Sequence, residues 1–420
     1  MLLALVLLGG CDEPRASNTP AAREPLSQRP APPNATVERI DAALARAAAF
    51  LRGKQGADGA FRSQLYAALR DGYSLSPLAL TVLRITAGHD GRAYGRGVDF
   101  VASLVQSGRV RENGQAPHYP LYALAGAALV LNVDDNRRHD PQRAVILRAL
   151  AARQLDEARG YAESDPSYGG FSYSNALQVP RHDRSAADRD HAGNLSATLF
   201  AIGALRLAGL APEGVVLRKA RTFVLRCQNF GERSEQADPQ HDDGGFFFSP
   251  AVADPNKAGS AGRGRDGRLR HRSYGSMTAD GLRALLQLGL PLDSPRVRAA
   301  AAWLERHFDP AQNPGAFPEN AEVRRASAYY YYSWSVAHAL RGLGKPKLET
   351  ERGTVAWASA LAEALLARQG ADGSFRNAYS EMREDDPLVA TPLAAAALAV
   401  ARSTLAGEYR SHRRGVTPPR

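Results

Sequence analysis

The chain has 420 residues, 44% of them hydrophobic and 7% aromatic, with 53 basic side chains against 43 acidic ones for a formal charge of +10. That apolar share supports a sizeable core and excludes a chain too polar to fold. The positive balance comes from arginines spread along helix faces. No nucleic-acid module or lysine-rich arm accompanies them, so nucleic acid is not an expected partner, and anionic lipid headgroups or phosphate-bearing ligands suit the charge better.

Met1 to Leu8 is an apolar run too short to span a bilayer, and it leads into Leu8-Gly9-Gly10-Cys11 and then a Pro, Ala, Ser and Arg-rich stretch. This reads as a lipoprotein-type signal peptide over 1–10, with Cys11 as the lipidated residue and 11–36 as a flexible tether. The positive charge usual ahead of such a run is missing here. The expected location is the bacterial cell envelope, with membrane contact through the lipid anchor. With Cys11 lipidated, Cys227 is the one remaining thiol and no intramolecular disulfide can form.

From residue 37 the chain repeats itself. Val37, Ile40, Leu44, Ala47 and Leu51 fall on one face of a helix, with Glu38, Arg39, Asp41 and Arg46 opposite. Gln55-Gly56-Ala57-Asp58-Gly59-Ala60-Phe61 follows, then an apolar helix from Leu78 to Leu83 with Pro77 at its start and Ser76 as its cap. Leu104-Val105-Gln106 opens a second copy, whose apolar helix runs from Leu121 to Leu131 behind Pro120. In the third, Arg153-Gln154 leads to Tyr168-Gly169-Gly170-Phe171 and a helix from Leu195 to Leu207; in the fourth, Cys227-Gln228 leads to Asp243-Gly244-Gly245-Phe246. Trp303-Leu304 leads to Gly315-Ala316-Phe317, and Gln369-Gly370-Ala371-Asp372-Gly373-Ser374-Phe375 closes the series ahead of Thr391, Pro392 and the apolar run Leu393 to Val400.

Six units of one amphipathic and one all-round apolar helix, with no period-two strand pattern, predict an all-α fold. The simplest burial scheme is an (α/α)6 toroid of about twelve helices in an inner and an outer ring, spanning 37–405 as one domain, with a basic tail over 406–420.

Functional candidates belong at the mouth of such a ring, where the inner helices begin. The loop from Arg181, His182 and Asp183 to Asp188, Asp190 and His191, and the turn His241-Asp242-Asp243, have metal-ligand residue types but no helical pair to fix a geometry, so no metal and no cofactor are assigned. Arg263, Arg265, Arg268, Arg270 and Arg272 precede His271-Arg272-Ser273-Tyr274-Gly275-Ser276 and a helix start, which makes Arg270, Arg272, Tyr274 and Ser276 a candidate anion site. Tyr329-Tyr330-Tyr331-Tyr332 opens the fifth inner helix; Tyr331, Trp334 or Ser335, and His338 share a face of it, so one stripe of aromatic rings would point into the cavity and another toward the outer helices.

The glutamine, glycine and aromatic spacing resembles the prenyltransferase and squalene cyclase repeat of the terpenoid cyclase and protein prenyltransferase toroid superfamily. The resemblance implies the toroid and gives the repeat loops a structural role, with Phe standing where that family usually has Trp. It also implies what is missing. The zinc-binding Asp and Cys of protein prenyltransferases fall on Ala328 and Tyr330, and the zinc-binding His falls near Ala390, while Arg324 and Arg325 partly echo the diphosphate-binding residues. The Asp-x-Asp-Asp acid of triterpene cyclases is absent, since Asn132-Val133-Asp134-Asp135 and Arg383-Glu384-Asp385-Asp386 lack its first Asp, and the thioester motif of a third toroid group is absent too. These gaps weigh toward a toroid that binds a lipid, an isoprenoid or an extended ligand through Tyr274, Ser276, Tyr330, Tyr331, Trp334, His338, Arg270, Arg272 and Arg325, without the known chemistry. Two readings stay beside it. One is an enzyme, either an isoprenoid transferase or cyclase with altered groups or a polysaccharide hydrolase or lyase using Asp188, Asp190, Glu381 or Asp385; the other is a scaffold for a protein partner.

Overall fold

The computed structural model describes residues 33–87, 91–111, 116–134, 137–173, 191–231, 238–252 and 256–407. The signal, the tether before residue 33, Cys11, the loop holding His182, Asp183, Asp188 and Asp190, and the tail after 407 lie outside these residues. Six outer helices are α1 (Pro33–Lys54), α3 (Gly91–Ala102), α5 (Asp140–Ala151), α7 (Val215–Arg226), α9 (Pro295–His307) and α12 (Trp357–Leu366). Six inner helices are α2 (Leu75–Ala87), α4 (Pro120–Val133), α6 (Leu195–Leu207), α8 (Gly275–Gln287), α11 (Tyr329–Leu343) and α13 (Pro387–Leu405), and a short α10 (Glu322–Ser327) precedes α11.

The inner ring is closed: α2 packs on α4, α4 on α6, α6 on α8, α8 on α11, α11 on α13, and α13 back on α2. The chain is therefore the all-α (α/α)6 toroid that its repeats predict. Burial follows the sequence pattern. Helix α7 buries only Leu217, Ala220, Phe223 and Val224 of its twelve residues, whereas α6 is buried at every position from Leu195 to Leu205. Helix α13 has the length and apolarity to cross a bilayer, yet 72% of that stretch is buried in the ring.

Four glutamines stitch the seams with one geometry. Gln55 Nε2 donates to the carbonyls of Gly59 at 3.0 Å and Ala93 at 2.8 Å, so it ties its own loop to the next outer helix. Gln154 does the same with Gly169 and Val216, Gln228 with Gly244 and Arg296, and Gln369 with Gly373 and Ala43. The glycine is needed where the loop meets that helix. At Gly373 φ is +85°, and a Cβ there would stand 2.5 Å from the Arg46 carbonyl oxygen of α1.

A second element of the repeat was not anticipated. The N–H groups of Phe61, Phe171, Phe246 and Phe375 donate to the hydroxyls of Ser76, Thr198, Thr278 and Thr391, at 2.9 to 3.0 Å, on the inner helix that follows each loop. This corrects the capping roles expected of Ser76 and Thr391. Both lie inside their helices, because α2 begins at Leu75 and α13 at Pro387, and Asp386 caps α13 by accepting from the Leu388 N–H at 2.8 Å. Pro392 is accordingly an interior proline and not a first-turn one. Three two-stranded antiparallel hairpins were likewise not foreseen: β1 (Val105–Gln106) with β2 (Arg109–Val110), β3 (Ser260–Arg263) with β4 (Leu269–His271), and β5 (Leu348–Thr350) with β6 (Gly353–Val355). Strands this short leave no readable alternation.

Candidate functional site at the ring axis

A cluster of buried polar side chains joins the inner helices α8, α11, α6 and α4. Asp280, on α8, is fully buried. The hydroxyls of Tyr331 and Ser335, on α11, both donate to its carboxyl through short hydrogen bonds. Arg283, one turn along α8, lies 3.7 Å from the same carboxyl, donates to Ser335 Oγ at 3.2 Å and stacks 4.3 Å above the Trp334 ring. Burial pushes the Asp280 carboxyl up to about 6, against the opposing pull of Arg283 and the two hydroxyl donors. Tyr331 also reaches Ser196 Oγ on α6 at 3.4 Å, and Ser196 Oγ lies 3.1 Å from the Tyr122 hydroxyl on α4. A hydrogen-bonded path thus runs from Tyr122 through Ser196 and Tyr331 to Asp280.

Tyr122 is also a wall of a small apolar cleft. Leu69, Ser74, Leu75, Pro77, Leu78, Gly126, Phe200, Val389 and Leu393 complete it, enclosing about 40 Å³. Four inner helices contribute: α2, α4, α6 and α13. Side chains of α11 also pack along the axis, Trp334 against Tyr331 at 5.5 Å and His338 against Trp334 at 5.4 Å.

The tyrosine stripe thus forms as the helical spacing predicts, with Tyr331, Trp334 and His338 in ring contact along the axis. His338 is buried, its Nδ1 has no hydrogen-bond partner, and burial beside Arg283 and Arg341 holds it well below the usual imidazole range, in the neutral form. Tyr330 faces elsewhere: its ring packs on Phe375 and Tyr329 and its hydroxyl donates to the Arg376 carbonyl at 3.2 Å. Tyr274 stands before α8 with its ring edge-on to Phe317, and Ser276 is held by Asn313.

The arginines occupy the β3–β4 hairpin. Arg263 and Arg268 are exposed there, Arg270 pairs with Asp266 at 3.2 Å, and Arg272 donates to the Ala258 carbonyl at 3.3 Å. Arg325 is bound in two directions to Glu322, at 2.9 Å each, with its plane over Phe317. These arginines thus find their partners at the hairpin and around α10, whereas Tyr331 and Trp334 find theirs on α8.

The carboxylates of the Arg383-Glu384-Asp385-Asp386 string have separate tasks. Glu384 is buried and accepts from the Tyr330 and Tyr331 N–H groups at 3.0 and 2.7 Å and from Asn377 Nδ2 at 2.9 Å, so it closes the start of α11. Burial pushes it up to about 8 although those donors favour the ionised form. Asp385 accepts from the Tyr66 hydroxyl at 2.6 Å, and Glu381 is half-buried. Arg383 has an unusual position: φ is +53°, and its guanidinium lies between the Tyr66 and Tyr119 rings, 5.2 and 5.1 Å from their centroids. Neither Asp280 nor Arg383 was a sequence candidate. A lone Asp in an apolar helix and an Arg amid acids carry no motif, and the one available signal for Asp280 was a charged residue on a helix otherwise buried all round.

In the His241-Asp242-Asp243 turn, Asp243 accepts from the Gly245 N–H, the Ser273 hydroxyl and the Trp303 indole N–H.

No protein family and no curated protein sequence matches the chain. Among solved structures, a protein from Actinoplanes has a TM-score of 0.50 at 16% identity, covering 87% of this chain and 99% of that one. The type II terpene cyclase MstE from Scytonema, solved with geranylgeranyl dihydroxybenzoate, has a TM-score of 0.49 at 13% identity over 88% of this chain and 99% of its own. A glycosidase has a TM-score of 0.44 at 14% identity, over 88% and 98%. At such identities the likeness is one of fold. The closed ring of six pairs and its glutamine ties are those that the repeat resemblance implies, and the chain has an α/α toroid fold.

Proposed function

We propose that this toroid binds the apolar part of a lipid or isoprenoid ligand at its axis. The observation that carries the reading is the cleft, an apolar opening between four inner helices. Its present volume is far below the roughly 300–1,000 Å³ of sites that enclose a whole small molecule. The cleft therefore takes a chain end, with Leu75, Leu78, Phe200 and Leu393 shifting rotamer to admit more. Titration with alkanols of increasing length, read by tryptophan fluorescence, tests it: affinity should rise with chain length, and Leu393→Phe, which fills the cleft, should weaken binding about tenfold, a change of about 1.4 kcal/mol. If alkanols do not bind, or only short glycans do, the reading fails.

One observation favours a catalytic version of the same site. Asp280 is a carboxyl held near half protonation at about pH 6 and connected to the cleft wall by hydroxyls, which is the arrangement a general acid needs. In that version the Asp280 proton passes through Tyr331, Ser196 and Tyr122 to a ligand atom in the cleft. Asp280→Asn should then keep alkanol binding and abolish conversion of any isoprenoid substrate; conversion at the parent rate removes Asp280 from the reaction.

We also propose that the protein is exported and anchored through Cys11, on the strength of the Leu8-Gly9-Gly10-Cys11 string. Metabolic labelling with a fatty-acid probe should mark the parent and not Cys11→Ala; equal labelling of both rejects the anchor.

A further inference from the structure

Arg383 stands where three loops that lead into the walls of the cleft come together, and it holds an unused donor. Tyr66 belongs to the turn that presents Leu69 to the cleft, Tyr119 stands immediately before the helix that presents Tyr122, and Arg383 lies shortly before the helix that presents Val389 and Leu393. The guanidinium sits between the two tyrosine rings. Its Nη1 is buried without a hydrogen-bond partner, and it makes no ion pair among the described residues.

That arrangement differs from the arginines near the β3–β4 hairpin. Arg270 has Asp266 and Arg325 has Glu322. Arg383 has a carboxylate two positions away, Asp385, but that group is engaged with the Tyr66 hydroxyl at 2.6 Å, which fixes one wall of the sandwich instead of neutralising the cation. Glu384, the other neighbour, is turned toward the start of α11. The backbone commits to the placement as well. Arginine rarely adopts a left-handed φ, and here hydrogen bonds from the Arg383 N–H to the Ser380 carbonyl and from the Asp386 N–H to the Arg383 carbonyl hold it. The two ring contacts hold the guanidinium in place while its Nη1 stays without a partner, and a guanidinium so held offers N–H donors to an oxyanion.

We infer that Arg383 is the anion-binding residue of the cleft, taking a carboxylate or phosphate head while the apolar tail of the same molecule enters between α2, α4, α6 and α13; this rests on the apolar-ligand reading given above. The binding partner is an amphiphile with a terminal oxyanion.

The test uses dodecanol, dodecanoate and dodecyl phosphate, each below its micelle concentration, titrated against the full chain. The parent should bind at least one anionic probe about tenfold or more tightly than the alcohol, as a charge-assisted paired contact requires. The phosphate and carboxylate arms tell the two heads apart. Arg383→Met should bring the anionic probes down to the affinity of the alcohol and leave the alcohol unchanged. Arg383→Lys keeps the charge without the paired donors and should lose most of the preference; it also serves if the Met variant does not fold. Equal binding of alcohol and both anions by the parent, or a preference that survives Arg383→Met, overturns the assignment while the apolar reading stands. Failure of all three probes to bind the parent overturns the apolar reading, and this assignment falls with it.

Discussion

Gln369 Nε2 donates to the Ala43 carbonyl at 2.8 Å across 326 residues of chain, one of the bonds that close the ring. The same nitrogen donates to Gly373 at 3.0 Å, so the last repeat grips the first outer helix as each earlier one grips its successor. A ring has no terminal repeat to cap, and the partner of the final seam is the N-terminal helix.

Gln369→Ala removes both bonds and leaves two carbonyls short of a donor. The loss should be on the order of 1–3 kcal/mol. Urea unfolding measures it, and a variant as stable as the parent would mean that apolar packing and the Arg39–Glu363 and Arg402–Asp41 pairs hold the ring closed without this glutamine.

Phe375 is completely buried behind that seam. Phe375→Ala should destabilise by about 3–5 kcal/mol, the range for emptying an aromatic site in a packed core. Thermal unfolding at the parent temperature would show the pocket to be collapsible and the aromatic dispensable.

Thr278 separates the hydroxyl from the methyl in the second repeat contact. It accepts from the Phe246 N–H at 3.0 Å and donates to the Tyr274 carbonyl at 3.0 Å, fully buried. Thr278→Val keeps the shape and strands a buried N–H, for a loss of about 1–3 kcal/mol. Thr278→Ser should cost clearly less, since the hydroxyl remains. Equal losses in the two variants would point to packing and not to the hydrogen bond.

Asp280 makes stability depend on pH in a defined direction. Burial raises its carboxyl in the folded state from 3.8 to about 6, so folding favours the protonated form. The stabilising contribution is full below the unfolded value, falls as pH rises from about 4 to about 6, and is absent above that. The change is on the order of 3 kcal/mol at about 1.4 kcal/mol per unit. Asp280→Asn should flatten this part of the profile in urea titrations at closely spaced pH values. Glu384, raised from 4.5 to about 8, contributes a decline of the same sign over that window, overlapping the upper part of the Asp280 one, and it should remain in that variant. Coinciding profiles for the parent and Asp280→Asn would mean that the carboxyl titrates alike in the folded and unfolded chains, and the buried-acid view would then be wrong.

The sequence by itself determined the architecture, because the information is local and repeated. The apolar positions of α1, the all-round apolar runs of α4 and α6, and the glutamine to phenylalanine loops each state one unit, and six such units can hide their apolar faces only against one another. The stripe of Tyr331, Trp334 and His338 was legible for the same reason, since helical spacing alone puts them on one face. The tertiary structure decided what stands opposite them. Asp280 finds Tyr331 and Ser335 across 51 and 55 residues, and Arg383 finds Tyr66 and Tyr119 from the other end of the sequence, pairings that no spacing encodes. The helix starts moved for a related reason: Ser76 and Thr391 are drawn inside α2 and α13 because their hydroxyls are claimed by the Phe61 and Phe375 N–H groups of the packed loops, a demand that exists only once the loop and helix are in contact.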